Sequence, residues 1–265
     1  MRRDEYPNQI EKNHRFRDLY KKDYKKRLLF ARDNGCNTVM LTGNGEPLLN
    51  RNFLEMFGEW NDNLPNPFRW IEIQTSGTLL DDEYLRFLRN TVGVNTISLS
   101  LSALSTNANA NINRTHEKFI VDIQKVCSEI KRYDFNLRLS LNMTSYFNRF
   151  SPKEIFDYTK NQLSADQLTF RVLYQSGMDT EEDRWIQSNR CSEEKIREIT
   201  EYVKSNGRAL EVLPFGSIKY SVNGMGVVID TDCMSTEAKD TIRYLILRPN
   251  AKLYSKWDDK GSLVF

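Results

Sequence analysis

The stretch Thr38-Val39-Met40-Leu41-Thr42-Gly43-Asn44-Gly45-Glu46-Pro47 joins a short apolar run to two glycines, an acid and a proline. Such a run is typical of a buried strand, and glycine lets the following backbone turn sharply and approach a ligand closely. Proline fixes φ and removes an N–H directly after Glu46. Because parallel α/β sheets bind ligands at the carboxyl ends of their strands, we expect Glu46 to bind an amino group there. Taken alone, the motif fits a plain turn with a surface Glu46 as well.

Strand and helix patterns alternate along the chain on both sides of this stretch. A helical pattern rich in Lys, Arg, Leu and Ala covers Phe16–Asn34 and stops at Asn34-Gly35. Strands alternating with helices form parallel sheets with right-handed crossovers. The sequence therefore predicts an α/β fold whose sheet curves into a partial or full barrel. Its strands are predicted at Asn37–Leu41, Trp70–Gln74, Val94–Leu101, Asn136–Met143, Gln167–Leu173 and Ala209–Pro214.

A change of pattern near residue 216 predicts two regions. Residues 1–215 are expected to form a partial (β/α) TIM-like barrel, and residues 216–265 a C-terminal β-containing accessory region. In the accessory region we predict strands at Tyr220–Ile229, Tyr244–Arg248 and Leu253–Trp257, the last two forming a β-hairpin. Within the barrel, the Asn-, Ser- and Ala-rich sequence Ser102–Thr115 predicts a long loop of the kind that is often functional, followed by a helix over His116–Tyr133.

The composition argues against several classes of protein. The chain has 265 residues, 39% of them hydrophobic, and a net charge of +2, which is too balanced to indicate nucleic-acid binding. The basic stretch Lys12–Arg27 is an exception that fits either a solvated helix face or a contact with RNA phosphates. No run of ~18 apolar residues and no secretory signal after Met1 are present. We therefore expect a cytoplasmic protein that makes no contact with a membrane.

The cysteines and histidines form no recognisable metal motif. The chain has four cysteines and two histidines, and none of them stands in a CxxC or zinc-type spacing. In a cytoplasmic protein such cysteines are expected to be free thiols rather than disulfides. The cysteines are Cys36, Cys127, Cys191 and Cys233.

Polar side chains are predicted at the carboxyl end of each strand, and in a parallel barrel these ends converge on one face. Together they offer a carboxylate for an ammonium group, hydroxyls and an amide for a ribose, and a guanidinium for a carboxylate. The set suits a ligand that carries both an amino-acid group and a nucleoside. For two of these residues a purely structural role stays open as an alternative to ligand binding. The Asn142 amide would then pair with backbone, and Arg171 would form a salt bridge. The predicted positions are Gly43–Pro47, Gln74–Gly77, Ser98, Ser100, Asn142 and Arg171.

Four of these stretches resemble motifs of the radical S-adenosylmethionine (radical SAM) superfamily. Thr42–Pro47 resembles its GGEP motif, with one glycine replaced, and Gln74–Gly77 resembles its TNG strand end. Ile97–Ser100 is similar to its fourth-strand serine motif, and Leu141–Met143 to its fifth-strand asparagine. The resemblance covers about Asp33–Leu173 and implies the partial (β/α) barrel of that superfamily.

The resemblance implies a site for S-adenosylmethionine (SAM). Its methionyl amino group would be held by the GGEP-like segment, in which Asn44 replaces a glycine. That segment comprises Gly43, Asn44, Gly45, Glu46 and Pro47.

The remaining SAM contacts implied by the resemblance come from the later strands. Asn142 would take the ribose hydroxyls, and Ser98 or Ser100, together with Arg171, would contact the carboxylate or the ribose. The same pocket would be lined by Gln74, Thr75, Ser76 and Gly77.

A [4Fe–4S] cluster is the second cofactor that the resemblance implies. The superfamily holds it with three cysteines in a CxxxCxxC loop, whereas only Cys36 precedes Gly43 in this sequence. We expect the cluster ligands upstream of Met1. The alternative is a protein that has lost the cluster and binds SAM or a nucleotide without radical chemistry. Cys233 is a candidate auxiliary ligand or radical-relay thiol, or an inert cysteine.

The resemblance implies an enzyme that cleaves SAM reductively. The deoxyadenosyl radical would act on a substrate over the barrel mouth, facing the Ser102–Thr115 loop and the C-terminal strands. Expected partners are an unidentified small-molecule, peptide or RNA substrate and an electron donor such as flavodoxin or ferredoxin. An RNA-modifying member that uses Lys12–Arg27 is an alternative. No residue is identified as catalytic.

Overall fold

The computed structural model describes residues 6–43, 45–175, 177, 179–213, 217–230, 242, 244–256 and 261–265, with side chains from residue 19 onward. The chain divides into two compact units. The first unit comprises Met1–Gln74, Glu83–Asn95 and Ala238–Phe265, and the second comprises Thr75–Asp82 and Thr96–Glu237. Among the described residues, no helix combines the length and the apolar character that a membrane span requires.

The first unit carries the earliest strands and the C-terminal hairpin. Strands β1 and β2 pair in parallel, and β9 and β10 pair as an antiparallel hairpin, which confirms the predicted hairpin in a shorter form. A 3₁₀ turn precedes α2, and a π-helical turn follows α3. In chain order the elements are α1 (Tyr6–Asp33), β1 (Thr38–Leu41), the 3₁₀ turn Pro47–Leu49, α2 (Arg51–Asp62), β2 (Trp70–Thr75), α3 (Asp82–Phe87), the π turn Leu88–Val92, β9 (Ile246–Leu247) and β10 (Leu253–Tyr254).

Helix α1 ends where the sequence predicts. Gly35 takes a φ of +90°, and Cys36 N donates to Ala31 O at 3.0 Å, so the last carbonyls of the helix are satisfied at this turn. The predicted start at Phe16 is wrong, because α1 begins at Tyr6. The residues before Phe16 are mostly polar and include good helix formers. The helix therefore continues through them although no apolar periodicity indicates it.

The second unit is built on a mixed sheet. Its strand order is β3-β4-β5-β8-β7-β6, in which β3, β4, β5 and β8 are parallel and β7 pairs antiparallel with β6 and β8. Helices connect the successive parallel strands β3, β4 and β5. The elements are β3 (Thr96–Leu101), α4 (Thr106–Ile112), α5 (Ile123–Arg132), β4 (Asn136–Met143), α6 (Pro152–Asn161), β5 (Gln167–Val172), α7 (Glu181–Asn189), α8 (Glu193–Asn206), β6 (Arg208–Val212), β7 (Ile218–Val222) and β8 (Met225–Asp230).

The parallel strands of the second unit have one apolar and one polar face. Successive side chains of a strand point to opposite faces, and the apolar positions Leu139, Leu141 and Phe170 are fully buried. Phe170 packs on Phe156 of α6 with ring centroids 5.7 Å apart, so the apolar face is the one covered by helix. The alternate positions of β4 and β5, such as Asn142 and Arg171, therefore lie on the opposite face.

Three predicted elements of the second unit differ from the structure. The predicted loop Ser102–Thr115 contains helix α4, and the predicted helix His116–Tyr133 is a 3₁₀ turn followed by α5. The predicted strand Tyr220–Ile229 is divided into β7 and β8 by Asn223-Gly224, whose φ values of 51° and 75° make a tight turn. The predicted domain boundary at residue 216 stays a prediction. Strands β7 and β8 lie beyond that residue and join the sheet of the second unit.

Candidate functional site

The GGEP-like segment of the first unit builds its own turn. Glu46 caps the 3₁₀ turn, with its Oε1 accepting from Leu48 N at 3.2 Å. A Cβ added at Gly43 would meet no atom within 4 Å, so packing does not require glycine there and the backbone is open to a ligand. Asn44 lies outside the described residues. Glu46 thus has a local structural role, and its contact with SAM stays a prediction.

Gln74 is held by its neighbours in the first unit. Thr42 Oγ1 donates to Gln74 Oε1 at 3.2 Å, and Gln74 Nε2 donates to Met40 Sδ at 2.9 Å. Gln74 Nε2 also lies 3.4 Å from Glu72 Oε1. These contacts fix the orientation of the Gln74 amide on the face that β1 and β2 share.

The turn Thr75–Gly77 of the second unit requires a glycine. Thr75 Oγ1 accepts from Gly77 N at 3.0 Å, and Gly77 has a φ of +86°, which L side chains rarely adopt. A Cβ at Gly77 would also lie 2.8 Å from Leu99 Cδ1. Ser76 Oγ lies 3.0 Å from Thr78 Oγ1. The backbone conformation and the close packing at this position therefore explain why residue 77 is a glycine.

Four polar residues lie side by side at the carboxyl ends of the parallel strands of the second unit. Asn142 is the register partner of Arg171, and Arg171 is the register partner of Asp230. On the other side, Asn142 Nδ2 donates to Ser102 Oγ at 3.4 Å. We call Ser102, Asn142, Arg171 and Asp230 the polar row. The second unit thus brings together two predicted residues, Asn142 and Arg171.

Ser98 and Ser100 lie on the same face as the polar row, nearer the amino ends of the strands. Ser100 is the register partner of Ser140, and Ser98 that of Arg138. Side chains on one face of a strand recur every second residue. Ser100 is therefore the neighbour of the polar row on this face, and Ser98 is the next side chain beyond it toward the amino end. Ser98 is fully buried and Ser100 is half-buried.

Helix α4 holds the first member of the polar row. Ser102 N donates to Asn109 Oδ1 at 2.8 Å, and Ser102 Oγ donates to Asn113 Oδ1 at 2.9 Å. Thr144 Oγ1 donates to Ser102 O at 2.7 Å. The sequence does not single out these residues, because its composition there predicts a loop instead of helix α4. A detectable signal was present: Ser105 caps α4, and two asparagines four residues apart share a helix face.

Two buried polar atoms of the second unit have no hydrogen-bond partner in the described part of the chain, Ser98 Oγ and Arg171 Nε. A buried donor without a partner costs about 1–3 kcal/mol. Both atoms belong to the polar face of the sheet. The hydroxyl and amide groups on that face, from Ser98 and Asn142, suit the sugar oxygens of SAM, so the residues present fit this cofactor.

The described cysteines do not fit an iron–sulfur cluster. Burial raises the pKa of the Cys36 thiol, and it raises the pKa of Cys127 to about 12 and of Cys191 to about 11. These pKa values describe the thiols without a metal, and the grouping of side chains decides whether a cluster could be held. Within the described ranges, no three His, Cys, Asp or Glu side chains are grouped as metal ligands. Cys233 lies outside the described residues. We therefore assign no reaction step to a cluster.

The structure is similar to solved radical SAM proteins of low sequence identity. Native anSMEcpe with bound AdoMet aligns with a TM-score of 0.56 at 16% identity, over 93% of this chain and 67% of that chain. The Escherichia coli coproporphyrinogen III oxidase HemN, described as a radical SAM enzyme, gives 0.51 at 14% identity, over 74% and 47%. Native anSMEcpe with bound AdoMet and Cp18Cys peptide gives 0.50 at 21% identity, over 71% and 51%.

This likeness concerns the fold, and it confirms the predicted α/β fold of the partial (β/α) TIM-like barrel type. The chain spans only about half the length of two of these structures. None of the curated proteins matches this sequence. The sequence itself matches the family described as the Radical SAM superfamily over residues 4–155, which is more than half of the chain. The chain therefore belongs to the radical SAM superfamily.

Proposed function

We propose that this chain is the SAM-binding part of a radical SAM enzyme and that the polar row binds the sugar of SAM through Asn142. The observation that carries this proposal is the hydrogen bond from Asn142 Nδ2 to Ser102 Oγ. It fixes the amide so that its Nδ2 is used, and no described side chain donates to its Oδ1. A fixed acceptor at the carboxyl ends of parallel strands is suited to a ribose hydroxyl.

The other predicted contacts are less constrained by the structure. Ser98 Oγ is buried without a partner, which favours a ligand atom or a water beside it. Ser100 stands between Ser98 and the polar row on the same face. For the methionyl amino group, Glu46 remains the residue expected from the sequence.

The reaction that we propose for the complete enzyme is the superfamily's reductive cleavage of SAM to a deoxyadenosyl radical. The thiols described in this chain do not fit the [4Fe–4S] cluster that such cleavage requires, so the roles proposed for its residues are limited to binding and orientation. A flavodoxin- or ferredoxin-type electron donor and a cytoplasmic location stay predictions from the sequence.

The RNA-modifying alternative gains no support from the described part of α1. Arg27 Nη1 pairs with Asp23 at 2.9 Å, and Lys21 lies 3.7 Å from Glu59. Asp23, Lys21 and Glu59 are about half exposed, as in pairs along a solvated helix face, whereas Arg27 is mostly buried. The side chains of Lys12 and of the residues up to 18 lie outside the described set.

A competition experiment tests the proposed sugar contact. Radiolabelled SAM is bound to the 265-residue chain by equilibrium dialysis and displaced with adenosine or with 2′,3′-dideoxyadenosine, which lacks both ribose hydroxyls. We expect the dideoxy compound to compete about tenfold less well, because one hydrogen bond is worth about 0.5–1.5 kcal/mol. Equal competition, or no saturable SAM binding, would contradict the proposal.

A further inference from the structure

Arg171 and Asp230 lie next to each other on neighbouring parallel strands. They are register partners on β5 and β8, and strands in a sheet are about 4.8 Å apart. Residues in register on parallel strands point to the same face. That face is the polar one, because Phe170 beside Arg171 packs against helix α6.

These two opposite charges do not pair with each other. Within the described part of the chain, neither side chain makes a salt bridge or hydrogen bond, and Arg171 Nε is buried without a partner. The chain does form such pairs elsewhere, as between Lys131 and Asp166 at 2.6 Å. Another arginine on the same face is hydrogen-bonded. Arg138 donates to Gln167 Oε1 through both Nε and Nη2, at 2.9 and 2.6 Å.

Both side chains are half-buried, and the one buried guanidinium nitrogen, Arg171 Nε, lacks a partner in the described part of the chain. A buried donor of this kind favours a ligand that accepts from it, and the neighbouring carboxylate is placed to bind the opposite charge. A single ligand can compensate both if it carries a carboxylate and an ammonium group close together. An α-amino-acid group does so, with its two charged groups on one carbon.

We propose that Arg171 and Asp230 bind the α-amino-acid group of the substrate, with Arg171 on its carboxylate and Asp230 on its ammonium. The inference rests on the proposed function, since it assigns SAM to the Asn142 side of the polar row. It replaces the sequence-based expectation that Arg171 contacts SAM. The substrate class is a free α-amino acid or a larger molecule with an unblocked α-amino-acid end. SAM itself carries an α-amino-acid group, so the test must distinguish binding of a substrate by these two residues from binding of SAM.

The test measures amino-acid binding to the SAM-saturated chain. L-alanine, L-lysine and L-tyrosine are titrated by saturation-transfer NMR, each beside its N-acetyl and its carboxamide derivative. We expect at least one zwitterion to bind about tenfold or more tightly than either of its blocked forms, since each blocked form loses one charge-assisted contact. Arg171→Gln should remove the preference for the carboxylate, and Asp230→Asn the preference for the ammonium.

Matched controls and a SAM titration complete the experiment. Arg149→Gln and Asp157→Asn, surface changes of the same charge in the same unit, should leave the zwitterion preference intact, and Arg171→Lys should restore part of what Arg171→Gln loses. SAM affinity should change less than twofold in the Arg171 and Asp230 variants.

The inference is overturned if no zwitterion is preferred, or if both variants weaken SAM about tenfold, because the pair would then hold the methionyl group of SAM. Failure of the unsubstituted chain to bind SAM would instead refute the proposed function.

Discussion

Asn142 donates its side-chain amide to Ser102 Oγ across two neighbouring parallel strands, at 3.4 Å. Ser102 in turn donates through its backbone N–H to Asn109 of α4 and through its hydroxyl to Asn113, the C-cap residue of that helix. A short helix that follows β3 thereby sets the orientation of an amide on β4. The candidate site is consequently organised by hydrogen bonds that link α4 and its C-cap to the ends of the strands.

Asn109→Ala should destabilise the second unit and weaken SAM binding together. Ser102 is buried, and the change leaves its N–H without the acceptor now 2.8 Å away, at a cost of about 1–3 kcal/mol. Urea unfolding and a SAM titration measure the two effects. Asn107→Ala on the same helix, an exposed position, is the control and should change stability by less than about 0.5 kcal/mol. Equal behaviour of the two variants would refute a positioning role for Asn109.

Gly77→Ala should destabilise the fold by about 1–3 kcal/mol, because it imposes a strained φ and a close contact. The φ is +86°, and the new Cβ would lie 2.8 Å from Leu99 Cδ1. Gly43→Ala is the matched control for stability, since a Cβ there meets no atom within 4 Å. Urea denaturation compares the two free energies of unfolding. A Gly77→Ala protein as stable as Gly43→Ala would show that the turn is not the constraint inferred here.

Glu46→Gln should weaken SAM binding by about tenfold or more. The amide can still accept from Leu48 N, now at 3.2 Å from Oε1, but it loses the charge for an ammonium group, worth about 1.5–3 kcal/mol. Calorimetric titrations with SAM and with 5′-methylthioadenosine, which lacks the amino-acid group, separate the roles. Only SAM should lose affinity. If the affinities for both ligands fell equally, or if neither fell, Glu46 would have only its capping role.

The buried thiol of Cys127 should react slowly with iodoacetamide at pH 8. Burial, aided by the charge of Asp122, raises its pKa to about 12, so little thiolate forms until the pH approaches that value. Cys36, half-buried, should be modified before Cys127, as followed by mass spectrometry of peptides. Denaturation before alkylation is the control and should equalise the two rates. Rapid native modification of Cys127 would show that the thiol is accessible and ionised.

The same ionisation fixes the sign of a pH effect on stability. A thiol whose pKa is higher in the folded than in the unfolded protein contributes stability that is present below the unfolded value and lost as the pH rises toward the folded one. For Cys127 that window runs from its ordinary value of 9.0 to about 12. Cys127→Ala should therefore flatten the fall in stability across this alkaline range.

The succession of strands and helices could be predicted because apolar periodicity is a local property of the sequence. Helix α4 was missed because its residues, Thr106–Ile112, include several asparagines, which are weak helix formers. Asn142 and Arg171 could be placed at strand ends from sequence alone. Asp230 could not be joined to them, because its place follows from the pairing of β8 with β5 after a hairpin, a long-range choice that no local pattern encodes.

The central claim, that Asn142 binds the sugar of SAM, is tested most directly by calorimetric titration of SAM into the Asn142→Ala chain. Asn161→Ala, at an exposed asparagine on α6, is the matched control. We predict one SAM per chain, an affinity about tenfold lower in Asn142→Ala, and an unchanged affinity in Asn161→Ala, from the loss of about 1.4 kcal/mol. An Asn142→Ala protein that is folded and binds SAM as tightly as the unsubstituted chain would contradict the account.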